Sequence, residues 1–159
     1  RSIPEKRIVD FIRKHHVVSL ATSDENIPWV CHCFYAYMKE ENWLVFTSDE
    51  QTRHVREVMA NPLVSGGIVL ETSVVNKVQG VQFSGVMRRP SEEEKGRVTR
   101  AYLNRFPFAV LMNTSLWIVE IRHIKMTDNR LGFGKKLIWE REGEARSAVS
   151  QEKKKRLPF

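Results

Sequence analysis

Hydrophobic and polar positions along this chain alternate with a period of two more often than with the helical period, and turn residues separate the alternating runs. Val17 to Thr22 reads as a first strand, closed by the turn sequence Ser23-Asp24-Glu25-Asn26. Pro28 to Met38 reads as a long second strand. Trp29, Cys31, Cys33, Tyr35 and Tyr37 share one face of it, and Val30, His32, Phe34, Ala36 and Met38 share the other. Both faces are largely apolar, which predicts cover on both sides. Polar Lys39 to Asn42 turns the chain into a third strand, Trp43 to Thr47. Val64 to Leu70, Val78 to Arg89 and Leu116 to Thr127 are the fourth, fifth and sixth. Gly66 and Gly67 inside the fourth predict a bulge or a close approach by neighbouring atoms. Gly132-Phe133-Gly134 is a turn before a short strand, Lys136 to Glu140.

Helical signals are fewer. Ser2-Ile3-Pro4-Glu5 opens a first helix, with Ser2 as cap and Glu5 completing a capping box. Ile8, Phe11 and Ile12 then form one apolar stripe, and the helix ends near His15-His16. A second helix follows the third strand. Ser48 or Asp49 is its expected cap, Gln51 closes a capping box, and Asn61 ends it before Pro62. A third opens on Ser91-Glu92-Glu93-Glu94 and runs to about Arg105. Strands joined in succession by short turns pair antiparallel, so the expected architecture is mainly β: a small closed or partly closed barrel with helices packed outside. A doubly wound βαβ sheet fits poorly.

At 159 residues the chain suits a single domain, placed at residues 1–141, with a polar, basic tail from 142 to 159. Its 42% hydrophobic and 28% charged residues are those of a water-soluble globular protein. No apolar run is long enough to span a membrane, and no signal-peptide core opens the chain. Two cysteines cannot make a disulfide framework, so a reducing cytoplasm is the expected compartment. The net charge of +7 is spread through the domain, with a modest excess at Lys153-Lys154-Lys155-Arg156. That balance suits nucleic acid or a small anionic ligand. No nucleic-acid-binding motif accompanies it.

The most informative stretch is Phe46-Thr47-Ser48-Asp49-Glu50-Gln51-Thr52-Arg53-His54, a strand breaking into a helix start. A helix N-terminus offers free N–H groups and the positive end of a dipole. Thr52, Arg53 and His54 add a hydroxyl, a guanidinium and an imidazole there, a set suited to a phosphate monoester. An ordinary capped surface helix is the alternative. Cys31-His32-Cys33 does not read as a metal site, because on a strand His32 points away from both cysteines. Cα atoms two apart on a strand, roughly 6.5 Å, are also unfavourable for a disulfide. Gly132-x-Gly134 lacks the third glycine of a dinucleotide fingerprint.

With this order of elements, four segments carry a resemblance that spans Pro4 to Arg141. They are Thr52-Arg53-His54, Gly80-Val81-Gln82-Phe83-Ser84-Gly85-Val86-Met87-Arg88-Arg89, Ala101 to Pro107, and Ile124 to Asn129 with Leu131 to Lys136. The chain resembles the pyridoxamine 5′-phosphate oxidase-like FMN-binding split-barrel superfamily, and within it the YhbP-type group. The resemblance implies a six-stranded antiparallel Greek-key split barrel, a homodimer, and FMN in a groove between subunits. Carried over by position, it implies that Phe46 and Thr47 lie beside the flavin and its ribityl chain. Thr52, Arg53 and His54 match the trio that grips the phosphate, and Cys31, His32, Cys33 and Phe34 match the segment facing the isoalloxazine ring. Gln79 or Gln82 would offer an amide to the ring; Lys135 and Trp139 would come from the partner subunit. The family's enzyme has Arg where this chain has Cys31 and Lys where it has His54. Its substrate-phosphate segment has no counterpart beyond an echo in Tyr102 and Arg105. The implied function is thus FMN binding, with flavin-dependent oxidoreduction other than pyridoxamine phosphate oxidation. Haem binding through His32 or His54, a cofactor-free barrel, and a basic nucleic-acid module are the alternatives.

Overall fold

The computed structural model describes residues 2–111 and 115–143; the Lys153–Arg156 run of the expected tail lies outside the described residues. The elements run α1 (Lys6–Lys14), β1 (Val17–Asp24), β2 (Ile27–Phe34), β3 (Ala36–Met38), β4 (Trp43–Ser48), α2 (Arg53–Ala60), β5 (Leu63–Val69), β6 (Gln79–Arg88), α3 (Glu92–Arg105), β7 (Ser115–Asp128) and β8 (Lys136–Glu140). All strand pairs are antiparallel. The sheet order is β2-β1-β5-β6-β7-β4-β3, with β8 added on the outside of β7.

The two ends of that order are one piece of chain. β2 and β3 are separated only by Tyr35, where the long second strand expected over Pro28 to Met38 breaks and turns. Tyr35 is fully buried; its N–H donates to the His16 carbonyl and its hydroxyl to the Ile12 carbonyl at 2.6 Å. Those bonds peg the corner to α1, so the sheet curls until its first strand meets its last. Counting β2 and β3 as one bent strand, the barrel has the expected six strands. It is split because β2 and β4 touch without forming a ladder.

Alternation does the rest. Val18 and Leu20 of β1, Val64 and Ile68 of β5, and Val81, Phe83 and Met87 of β6 point inward and are buried. β7 is the spine, carrying Trp117, Ile118, Val119, Ile121, Ile124 and Met126 into the core. The close approach expected in the fourth strand is real at Gly66: a Cβ there would lie 2.6 Å from both the Phe83 ring and the Ser19 carbonyl oxygen. Because one obstacle is backbone, Gly66→Ala is expected to destabilise the fold by about 1–3 kcal/mol, read as a lower urea midpoint. An unchanged midpoint would mean that β1 and β5 can separate without cost.

Helix starts differ in part from the sequence reading. α1 begins later than Ser2 implies: Glu5 holds the cap position without a side-chain hydrogen bond, and Pro4 is buried just ahead of it. α3 has its capping box, Ser91 with Glu94. Arg88, at the end of β6, donates two hydrogen bonds to Glu94 and a third to Glu120. That guanidinium lowers the Glu94 carboxyl to about 2. A carboxylate depressed in the folded state stabilises above its ordinary value and loses that contribution as pH falls through the depressed one. The stability difference between the parent and Glu94→Gln is therefore expected to shrink from about pH 4.5 to about pH 2. Urea midpoints across that range measure it; a constant difference would contradict the pairing.

The second strand is not covered on both sides. Trp29, Val30 and Phe34 are 42%, 53% and 59% exposed, so β2 presents apolar surface to solvent within one chain.

Candidate functional site

The split brings together the two segments singled out in the sequence. Cys31 and Cys33 of β2 form one lip and Thr47 and Ser48 of β4 the other, and the first turn of α2 closes one end. Trp117 Nε1 donates to the Ser48 carbonyl and fixes the end of β4. The chain then turns through Asp49, whose carboxylate accepts from the Gln51 N–H at 2.7 Å. The helix cap is Thr52, not Ser48 or Asp49: its hydroxyl accepts from the Val55 N–H and donates to the Asp49 carbonyl. Asp49 is thus spent on a local turn and Ser48 is buried, so neither reaches the helix.

Of the expected phosphate trio, Arg53 alone faces outward. Its guanidinium lies 4.2 Å over the Trp29 ring and makes one long contact, 3.4 Å, to Glu57. With 45% of its side chain exposed it remains accessible, beside first-turn N–H groups that have no intrahelical acceptor. Thr52 has committed its hydroxyl to the cap. His54 turns inward, which corrects its assignment to the phosphate: Nε2 shares a 2.6 Å hydrogen bond with Ser48 Oγ and lies 3.4 Å from Thr52 Oγ1. Burial pushes its pKa down, against the pull of Glu57, so the ring is neutral near pH 7. Glu57 is itself buried, and its Oε2 has no hydrogen-bond partner among the described residues. Glu50 is held away by Arg89 at 2.8 Å and by Ser115.

Phe46 is wholly buried, so its side chain belongs to the core and only its backbone can border a ligand. Thr47 Oγ1 donates to the Tyr102 hydroxyl at 3.4 Å. Cys31 and Cys33 are free thiols with their sulfurs 3.9 Å apart. Their hydrogen bond, with burial, raises the Cys31 pKa, and the same bond lowers that of Cys33.

A second set lies on the outer face of the sheet. His32 shares a 3.0 Å hydrogen bond with Ser19, and Ser19 lines a groove of about 310 Å³ with Gly67, Gln79, Gln82 and Thr127. Gln82 is exposed on that face, while Gln79 donates to the Lys77 carbonyl. Phe34 is exposed and packs on Phe106 at 5.5 Å. Lys135 is exposed in the turn before β8, free of the core as a contribution to a partner requires. Trp139 is not: only 9% exposed, it fills its own chain's core, its Nε1 without a partner among the described residues. One chain therefore holds the Arg53 corner and the glutamine groove on different faces of the sheet.

Sequence reasoning missed Trp29 beneath Arg53, Ser48 against His54, and Glu57. Only the shared face of Trp29, Cys31 and Cys33 was a signal, since which element packs on that face is a tertiary matter.

A curled antiparallel sheet, split between its second and fourth strands and flanked by helices, is a split barrel. Residues 4–128 match the family model described as pyridoxamine 5′-phosphate oxidase, and the chain belongs to that family. The YhbP protein of Salmonella schwarzengrund, a UPF0306 protein, is 36% identical over 138 residues, 87% of this chain and 94% of its own. Among solved structures, a haem-binding protein from Mycobacterium smegmatis superposes with a TM-score of 0.70 at 20% identity, over 82% of this chain and 55% of its own. An FAD-binding protein, mll6688 of Mesorhizobium loti, gives 0.65 at 16% identity, over 79% and 95%. No helix among the described residues is long and apolar enough to cross a membrane.

Proposed function

We propose that the chain is an FMN-binding split barrel that works as a homodimer and serves a flavin-dependent oxidoreduction. The observation that carries this is Arg53: a guanidinium at a helix start, stacked on Trp29 and, among the described residues, without a short ion pair, beside first-turn amides that lack intrahelical acceptors. Those donors fit a phosphate monoester, with Thr52 engaged in the cap and His54 turned inward. Family membership, and the FAD- and haem-binding names of structural neighbours, support a planar cofactor of this kind. FMN, when bound, supplies hydride or electron transfer. The residues' part is to hold: Arg53 the phosphate, the β2 backbone from Cys31 to Phe34 one side of the ring, and Gln82 or Gln79 its polar edge.

The partner follows from the two faces. The phosphate corner and the glutamine groove do not meet within one chain, and Val30, Val69 and Ile138 expose apolar area on the groove side. A second copy would cover that surface and set its groove against the first chain's corner, which also gives Lys135 a role. The free cysteines suit a reducing cytoplasm.

Haem is the second reading, favoured by exposed His32, whose ring Ser19 holds at Nδ1 and whose Nε2 is left available for iron. Colour separates the two. Purified protein incubated with FMN is expected to keep flavin absorption through dialysis. A Soret band that persists and is lost in His32→Ala would assign the site to haem instead.

A further inference from the structure

We propose that Cys31, Cys33 and His54 bind one zinc ion inside the split, a site separate from the phosphate corner and from the outer groove. The sequence reading set a metal aside because His32 faces away from the cysteines, and it does: its ring is on Ser19, across the sheet. The packing of α2 on β2 supplies a different histidine. One ligand atom each from Cys31, Cys33 and His54 lies within 4.8 Å of the others.

The distances suit a tetrahedral ion. With zinc–sulfur bonds of about 2.3 Å, two thiolates in a tetrahedron stand about 3.8 Å apart; here the sulfurs are 3.9 Å apart. Two sulfurs and an imidazole are ligands of the soft-to-borderline class that zinc prefers over magnesium or calcium. Metal binding takes the imidazole in its neutral form, and two thiolates balance the ion's charge. Ser48 Oγ, 2.6 Å from Nε2, sits beside the cluster. When Nε2 turns its lone pair to the metal, that hydroxyl gives up the imidazole and stands at the fourth position, directly or through water. Glu57, buried with an unpaired oxygen and close enough to act on His54 electrostatically, is a carboxylate of the kind that orients a ligand imidazole. Both cysteines are half-buried, so the site opens at the free edge of β2.

Cobalt(II) is the probe, added to the full chain under a phosphine reductant in a non-coordinating buffer. The reduced parent is expected to bind one equivalent, with a thiolate-to-cobalt charge-transfer band in the near ultraviolet and visible bands of tetrahedral intensity, all removed by one equivalent of zinc. Zinc should also raise the melting midpoint. Cys31→Ser, Cys33→Ser and His54→Gln are each expected to weaken cobalt binding about a hundredfold, while His32→Gln leaves it unchanged. Far-UV circular dichroism checks that each variant is folded; if one is not, the parent's spectrum and stoichiometry still decide. A reduced parent without the charge-transfer band, or a band equally strong in all three ligand variants, would overturn the site. Cobalt binding is read on protein free of FMN and FMN binding on protein free of metal, so failure here leaves the flavin reading standing, and the reverse.

Discussion

Replacing Arg53 with alanine is expected to weaken FMN binding by about 1.5–3 kcal/mol, the range for hydrogen bonds to a charged group. That corresponds to roughly a tenfold to hundredfold rise in Kd. The effect is large because the structure leaves little else for the phosphate. Thr52 caps α2, His54 is turned into the split, and first-turn amides are the remaining donors. The fold should change little, since among the described residues its ion pair is a 3.4 Å contact on its own helix, and such pairs contribute about 0–1 kcal/mol. Arg53→Lys should recover part of the loss, keeping charge but not the planar fork. Riboflavin, which lacks the phosphate, should bind parent and variant alike. Fluorescence titration with both ligands reads all of this; equal FMN affinity in Arg53→Ala and parent would remove Arg53 from the site.

Phe46→Ala is expected to cost about 3–5 kcal/mol of folding stability, as for a large aromatic removed from a packed core. Phe46 is fully buried on β4, opposite Trp117 of β7, in the strand that forms one lip of the split. Against a typical total of about 5–15 kcal/mol, that loss leaves the variant marginal. The prediction separates two roles for one residue. A side chain lying on a flavin would, when truncated, lower cofactor affinity and leave the apoprotein's urea midpoint nearly unchanged. A core side chain does the opposite, and burial places Phe46 with the core.

What could be read in advance follows physical range. The Ser91–Glu94 capping box is a contact over three residues, so local chemistry specifies it. The strands were legible because alternation records which face is buried, and the order of short turns implied antiparallel neighbours. The break at Tyr35 was not legible: apolar residues continue on both faces from Pro28 to Met38, and what stops the strand is a hydrogen bond to Ile12, on α1. The cap of α2 was misread because Ser48, Asp49 and Thr52 are all competent caps, and the choice depends on burying Ser48 against His54. His54 shows the same limit most clearly. Position beside Arg53 suggested a shared anion, yet neighbours on a helix point about 100° apart, and α2 packs with that side down. The same rotation that withdraws the imidazole from the phosphate places it with two cysteines from another strand.

Native mass spectrometry of freshly purified protein, reconstituted with FMN and exchanged into volatile buffer, tests the central claim most directly, because it counts subunits and weighs the cofactor together. The expected species is a dimer carrying two FMN molecules, with the Arg53→Ala chain still dimeric but depleted of FMN. A monomer, or a dimer that retains no FMN at concentrations that saturate ordinary flavoproteins, would contradict a flavin held between two copies of this barrel.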